Sequence, residues 1–327
     1  MKIGLRKFIT GLTIPQEYIC IGKELSNPLR VFLTDHRAER SIEVTNCHLF
    51  LGYKPLIIAF VFSADHGFYF EENKICLHLN EQLLSINTRW RGFSADSKSI
   101  ARLQMKRLVV EKCADLSVGF YEGVFGKHRF IPTVNQKVDS LLNKLRQRSS
   151  GNISLSRNLY DQVRIAYAIS RTISLITVSD GQLINIFPTD LHGPAGNDFY
   201  ISSLRIGGEA CRQVEQNKKI VISEIETLEF QTAYQLGKNH MRKMCEKENF
   251  NLAEEFSQIF RYPLPKGVGI YRELELINSF DIGIHHILIY KVVSCNKIKE
   301  ITPLAHIHQY YAQWRDNTGL ETHLLLR

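Results

Sequence analysis

Between Thr172 and Glu226 short apolar runs alternate with turn-forming residues, a pattern that predicts strands more than helices. Ile173, Leu175 and Ile176 lead to Asp180-Gly181, a dipeptide suited to a two-residue hairpin because glycine tolerates positive φ. Leu183 to Thr189 is the expected returning strand, LHGPAGND a polar loop, and Phe199 to Arg205 a third strand. Gly207-Gly208 then open a short amphipathic helix marked by Ala210, Cys211 and Val214, and Lys219 to Ile225 closes the unit as a fourth strand.

A weaker copy of this pattern lies at residues 30–79. It brings Asp35 near Asp180, Thr45 onto Thr189, His48 onto His192, and Leu56–Phe60 onto Tyr200–Leu204. In the first copy SADHGFYFEEN takes the place of the helix. Internal self-similarity of this kind points to duplicated architecture. Val138, Leu141, Leu142 and Leu145 mark an amphipathic helix, and the polar RQRSSGNISLSRN that follows is the expected linker, with a domain boundary near Ser150. In the second half a helix is expected from Phe230 to about Glu248, a break at RYPLPKGVG, and strands at Tyr271–Phe280, His285–Ser294 and Leu304–Tyr311.

The TVSDG…NIFPT hairpin, the ISSLR strand followed by a helix, and the later DIGIHHILIYKVV resemble the FMN-binding split barrel of the flavin reductase-like family over roughly residues 155–315. The fold class implied is mainly β with peripheral helices (α+β), as two tandem split β-barrel domains: 1–150, a divergent copy with a C-terminal helix, and 151–327. Proteins of that family generally pair two barrels with FMN where they meet. One chain with two copies could make that pairing internally as a pseudo-dimer, or the chain could form a homodimer.

On the residues alone, Ser202, Ser203 and Arg205 ahead of Gly207-Gly208 offer hydroxyls, a guanidinium and a helix N-terminus to a phosphate. The same residues would equally serve as a turn with a surface charge. The resemblance places Asn185, Pro188, Thr189 and Asp190 toward the ring and ribityl chain of FMN, and His285 at a strand start near the flavin. LHGPAGNDFY departs from the family pattern, with one proline and an added His192. Lys238 and His240 sit on the less apolar side of the expected helix, within reach of a phosphate or simply solvated. His306 and His308 alternate onto one strand face, but no third ligand has a supporting spacing, so no metal site is expected.

The chain has 327 residues, 44% hydrophobic and 23% charged, the make-up of an ordinary globular protein of about two domains. Its seven cysteines are scattered without metal-type spacing, which points to a reducing, cytoplasmic location. Thr10, Thr13, Pro15, Gln16 and Glu17 break any apolar core that a signal peptide would need at the start, and the longest apolar run, Leu56–Phe62, is far too short for a membrane span. The net charge of +8 belongs to the first half, where 22 Lys/Arg face 14 Asp/Glu, densest at Arg89, Arg91, Lys98, Arg102, Lys106, Arg107 and Lys112. No nucleic-acid motif accompanies that cluster, so a solvated basic face is the expected reading and a nucleic-acid partner is not expected.

No phosphate-loop, dinucleotide, zinc-protease or nucleophile-elbow motif occurs, and no side chain is assigned a catalytic role. The function implied by the resemblance is an FMN-dependent oxidoreductase passing hydride between NADH or NADPH and flavin or an organic acceptor. The alternative is a non-catalytic split-barrel module for ligand binding or interaction.

Overall fold

A computed structural model of the chain describes residues 11–325 except 15, 23, 39, 63–71, 81–98, 114–115, 147–154 and 156–157. The SADHGFYFEEN segment, most of the expected linker, and Arg89, Arg91 and Lys98 of the basic cluster therefore lie wholly or largely outside the described residues. The first half contributes β1 (Tyr18–Ile21), β2 (Arg30–Asp35), β3 (Ser41–Glu43), β4 (His48–Tyr53), β5 (Leu56–Phe62), β6 (Lys74–Asn80), β7 (Ser99–Cys113), β8 (Leu116–His128) and helix α1 (Thr133–Arg146). Then come α2 (Leu159–Ala166), β9 (Arg171–Thr172), β10 (Ser174–Ser179), β11 (Ile184–Thr189), β12 (His192–Ala195), β13 (Phe199–Arg205), α3 (Glu209–Asn217), β14 (Lys219–Ile225) and α4 (Phe230–Leu236). The chain closes with β15 (Leu252–Phe256), β16 (Pro263–Pro265), β17 (Val268–Ile282), β18 (His285–Lys297), β19 (Ala305–His308), α5 (Gln309–Asn317) and β20 (Leu324–Leu325).

The protein is mainly β, built on two seven-stranded antiparallel sheets. Their strand orders are β3-β2-β6-β7-β8-β5-β4 and β11-β10-β14-β17-β18-β13-β12, which is the same order read twice. In each, two strands consecutive in sequence end up at opposite edges: β3 and β4 in one, β11 and β12 in the other. That gap is the split of each barrel. Register matches as well: His48 lies opposite Phe60, and His192 opposite Ser202. Ile58 and Tyr200 likewise both face a buried tyrosine, Tyr121 and Tyr290. The equivalent of Tyr200 is therefore Ile58 and not Leu56, because the β4–β5 hairpin is longer and carries a bulge between Phe50 and Gly52.

Each sheet wraps an apolar core. In the second barrel Phe187, Tyr200, Leu274 and Tyr290 close around Ala210 and Val214 of α3. The first barrel is completed by later parts of the chain: Val163 and Ile165 of α2, and Tyr310 and Tyr311 of α5, pack with Phe50, Phe60 and Tyr121. β1 pairs with β19 on one side and β20 on the other, tying the first described strand to the end of the second half.

The barrels meet through equivalent strands. Leu49, Ala59 and Phe120 of β4, β5 and β8 pack on Ala195, Ile201 and Ile289 of β12, β13 and β18. Such self-complementary contact is what a two-fold pairing requires. The hairpin turns interlock reciprocally. Gly283, at φ +61, sits so near the carbonyl of Lys54 that a Cβ would overlap it, and Gly196 is equally close to Leu116.

Several elements differ from the sequence pattern. The β10–β11 turn is centred on Gly181-Gln182, one residue later than expected, because the Asp180 carboxylate accepts from the amides of Gln182 and Leu183. The loop LHGPAGND contains edge strand β12, where Pro194 is tolerated. The expected helix 230–248 stops at Leu236. Gly237–Met241 tightens into a 3-10 turn clamped on β11, with Asn239 Nδ2 donating to the carbonyl of Ile186. Tyr310 and Tyr311 lie on α5, not on a strand, because His308 Nδ1 accepts the amide of Tyr310 and starts the helix. On α1, Leu141 is 60% exposed, while Asp139 is buried and accepts from Tyr310.

Candidate functional site

The two splits open toward each other. Thr45 and Asn46 cross the first and Asp190 crosses the second, and all three line one cavity of about 300 Å³ together with His48, Arg171 and His192. A more apolar cavity of about 260 Å³ lies on the other side of Asp190, walled by Ile173, Pro188, Thr189, Ala233 and Tyr234. Asp190 is common to both cavities.

Asp190 is held by groups far away in sequence. Tyr167 donates its hydroxyl to Oδ2 at 2.9 Å, and His306 meets the same oxygen through Nδ1 at 2.8 Å. The other His306 nitrogen, Nε2, meets the Tyr234 hydroxyl at 2.8 Å. Burial would raise the Asp190 carboxyl, but these bonds outweigh it and hold the pKa below the usual range. Across the cavity His192 donates from Nε2 to the carbonyl of Thr172 and accepts at Nδ1 from Tyr200. Burial holds His192 neutral, with its pKa pushed down to about 4. His48, its register equivalent, bonds the carbonyl of Val44 through Nδ1 and is also pushed to about 4, by burial and then by Arg171.

Of the residues the sequence singles out, Pro188, Thr189 and Asp190 come together along the apolar cavity. The Thr189 hydroxyl accepts from the amide of Leu191, and the Pro188 carbonyl accepts from His240. Asn185 is buried nearby, with Nδ2 donating to Gln213 Oε1 and to the carbonyls of Asn239 and Arg242. Ser202 and Ser203 are adjacent in β13 and so face opposite ways. Ser202 meets Tyr290 in the barrel core, and Ser203 meets His285 at the barrel junction. His285 accepts the Tyr53 amide at Nε2, so Nδ1 carries its proton toward Ser203, and burial pushes its pKa to about 4. Arg205 is exposed at the end of β13, opposite His285 in register. Lys238 is exposed on the 3-10 turn. Glu209, in the first turn of α3 behind Gly207-Gly208, pairs with Arg212. Ser202, Ser203 and Arg205 thus do not converge on one point.

Sequence reading missed Tyr167, Arg171 and Tyr234. None belongs to a motif, and each reaches the site through tertiary packing. His306, read as half of a metal pair, serves Asp190 instead, while His308 caps α5 and faces Glu17 at 3.7 Å. No group of three metal-ligating side chains occurs among the described residues. No helix among them is long and apolar enough to cross a membrane.

No protein-family model matches the chain. No curated protein matches it either. Among solved structures it is similar to the FMN-binding protein from Thermus thermophilus with bound p-hydroxybenzaldehyde, at 16% identity over 46% of this chain and 81% of that one, TM-score 0.37. It is also similar to the Streptomyces globisporus C-1027 NADH:FAD oxidoreductase SgcE6, at 9% identity over 49% of this chain and 95% of that one, TM-score 0.40. A third is nitrilotriacetate monooxygenase component B from Mycobacterium thermoresistibile, at 12% identity over 51% of this chain and 85% of that one, TM-score 0.39.

Proposed function

We propose that the chain is a flavin-binding oxidoreductase in which two tandem split barrels, 1–150 and 151–327, arose by duplication and hold FMN at their junction. The reading rests chiefly on one observation: an apolar and a polar cavity meet at Asp190, at the split of the second barrel. An amphipathic cofactor with a flat apolar ring and a polar, anionic tail matches that donor set. Ile173, Ala233 and Tyr234 would wall the ring, and Pro188, Thr189 and Asp190 would border it. The flavin, when bound, would accept hydride from NADH or NADPH and pass it to free flavin or an organic acceptor. The chain's own part is to position the ring and exclude water; no side chain here is assigned a proton transfer.

A cytoplasmic location belongs to the same proposal and fits the six cysteines that are free among the described residues. The test is oxidation of NADH or NADPH by purified protein with added FMN, alongside quenching of FMN fluorescence on titration. Saturable quenching with nicotinamide oxidation supports the reading, and free FMN fluorescence at high protein concentration rejects it.

A second reading, a non-catalytic pair of barrels, is favoured by the self-satisfaction of the polar groups. Asn185, Ser202, Ser203 and His285 all spend hydrogen bonds inside the protein. Quenching by FMN without any nicotinamide oxidation would select it.

A further inference from the structure

Three arginines are buried among the described residues: Arg164, Arg171 and Arg315. A buried guanidinium is costly unless its charge and its N–H groups are met. Arg164 has its charge met by carboxylates at 3.0 Å (Asp161) and 3.9 Å (Asp139), although its buried Nε has no acceptor. Arg315 uses all three nitrogens, on the carbonyls of Ser26, Asn27 and Glu321 and on the Tyr311 hydroxyl. Arg171 differs from both. It is 7% exposed, its Nε and Nη2 share the single carbonyl of Ala166 at 3.3 and 2.9 Å, and Phe50 lies under its guanidinium at 4.9 Å. No carboxylate lies within ion-pair distance of it among the described residues, and Nη1 has no protein acceptor there. The cation is poorly compensated: burial pushes its pKa down to about 10, with Tyr167 and Asp190 opposing.

Arg171 lines the polar cavity between the splits, where the carboxylates already have hydrogen-bond partners of their own. Glu224 is taken by Arg272 at 2.7 Å, and Asp190 by His306 and Tyr167. Among the described residues lining the cavity, Arg171 is the cation without a carboxylate at ion-pair distance, held by its backbone and aromatic contacts, with Asn46 and Ser170 also on the lining. A preorganised guanidinium with a free N–H edge suits a phosphoryl oxygen.

We propose that Arg171 is an anion anchor and that the cavity between the splits takes a phosphate monoester, that of FMN. The assignment rests on the flavin reading above and names the residue that selects the phosphorylated cofactor. It gives this role to Arg171 in place of Arg205, which is exposed at the far end of β13.

The test compares FMN, riboflavin and inorganic phosphate as ligands of the wild type, Arg171→Gln and Arg171→Lys, with folding checked by thermal unfolding. Loss of one charge-assisted hydrogen bond predicts that Arg171→Gln weakens FMN about tenfold or more while riboflavin changes less than about twofold. Phosphate should raise the melting temperature of the wild type and leave that of the variant unchanged. Should the Gln variant fail to fold, Arg171→Lys carries the test, with a smaller selective loss of FMN because the fork is gone but the charge remains. Equal losses for FMN and riboflavin overturn the anchor and leave the flavin reading standing. Phosphate stabilisation that depends on Arg171, with no flavin bound, supports the anchor and overturns the flavin reading. No binding of any of the three overturns both.

Discussion

The backbone amide of Tyr53 donates a hydrogen bond to Nε2 of His285, 3.2 Å away across the junction of the two barrels. The rings of the two residues also meet edge to face, with centroids 4.8 Å apart. One side chain of the second barrel thus satisfies a main-chain donor of the first. His285→Leu removes the acceptor, leaves the Tyr53 N–H unpaired and should cost about 1–3 kcal/mol in urea unfolding. A cost within about 0.5 kcal/mol, the range of an ordinary surface substitution, would show that the contact does not bind the barrels together.

His48, His192 and His285 each have a pKa of about 4 in the fold against the ordinary 6.5, burial being the main cause. The unfolded chain therefore binds more protons between those values, and stability should fall as pH drops from about 6.5 toward 4. His286 acts oppositely: burial lowers its pKa, but bonds to Asp281 and Glu215 outweigh that and raise it. It is only partly buried, so its influence is smaller. Melting temperature measured from pH 7.5 to 4.5 should decline, and less steeply in His192→Gln. A flat profile would contradict the assignment of three buried neutral histidines.

Gly283 and Gly319 both have positive φ, +61 and +76, but only Gly283 faces another backbone, at Lys54. A Cβ on Gly319 meets nothing within 4 Å. Alanine at Gly319 should cost only the backbone term, about 1 kcal/mol. Alanine at Gly283 should cost about 2 kcal/mol more, because the interlocked hairpins must move apart. Equal costs would mean that the turns do not lock.

A Cβ on Gly237 also meets nothing within 4 Å, although the residue lines the apolar cavity beside Tyr234 and Ala233. Gly237→Phe should therefore leave thermal stability nearly unchanged while weakening FMN binding about tenfold or more, as one apolar contact surface is lost to the new ring. Unchanged FMN affinity would place the ring elsewhere.

The strands of the second barrel were legible because their signals are local. Val178 and Ile184 flank a turn whose Gly181 has φ +98, and the apolar residues of Lys219–Ile225 point to a buried strand. The opposite faces of Ser202 and Ser203 were readable too, since strand side chains alternate; grouping them as one phosphate site overlooked it. The helix after Phe230 is shorter than its apolar periodicity predicts because Gly237 and the pull of Asn239 on β11 compete with it. Arg171 could not be found from sequence. A lone arginine before a strand reads as surface charge, and only the packing of Phe50 and of the α2 terminus around it makes it a buried cation. Asp190 was legible by resemblance, but its partners Tyr167 and His306 are set by tertiary structure.

The most direct measurement of the central claim is the visible absorption of purified protein after incubation with FMN and desalting. A site at one junction, built from two non-identical barrels, predicts retained flavin approaching one per chain, with a spectrum shifted from that of free FMN. A protein that emerges colourless, and leaves the spectrum of FMN unchanged even at high protein concentration, would contradict it.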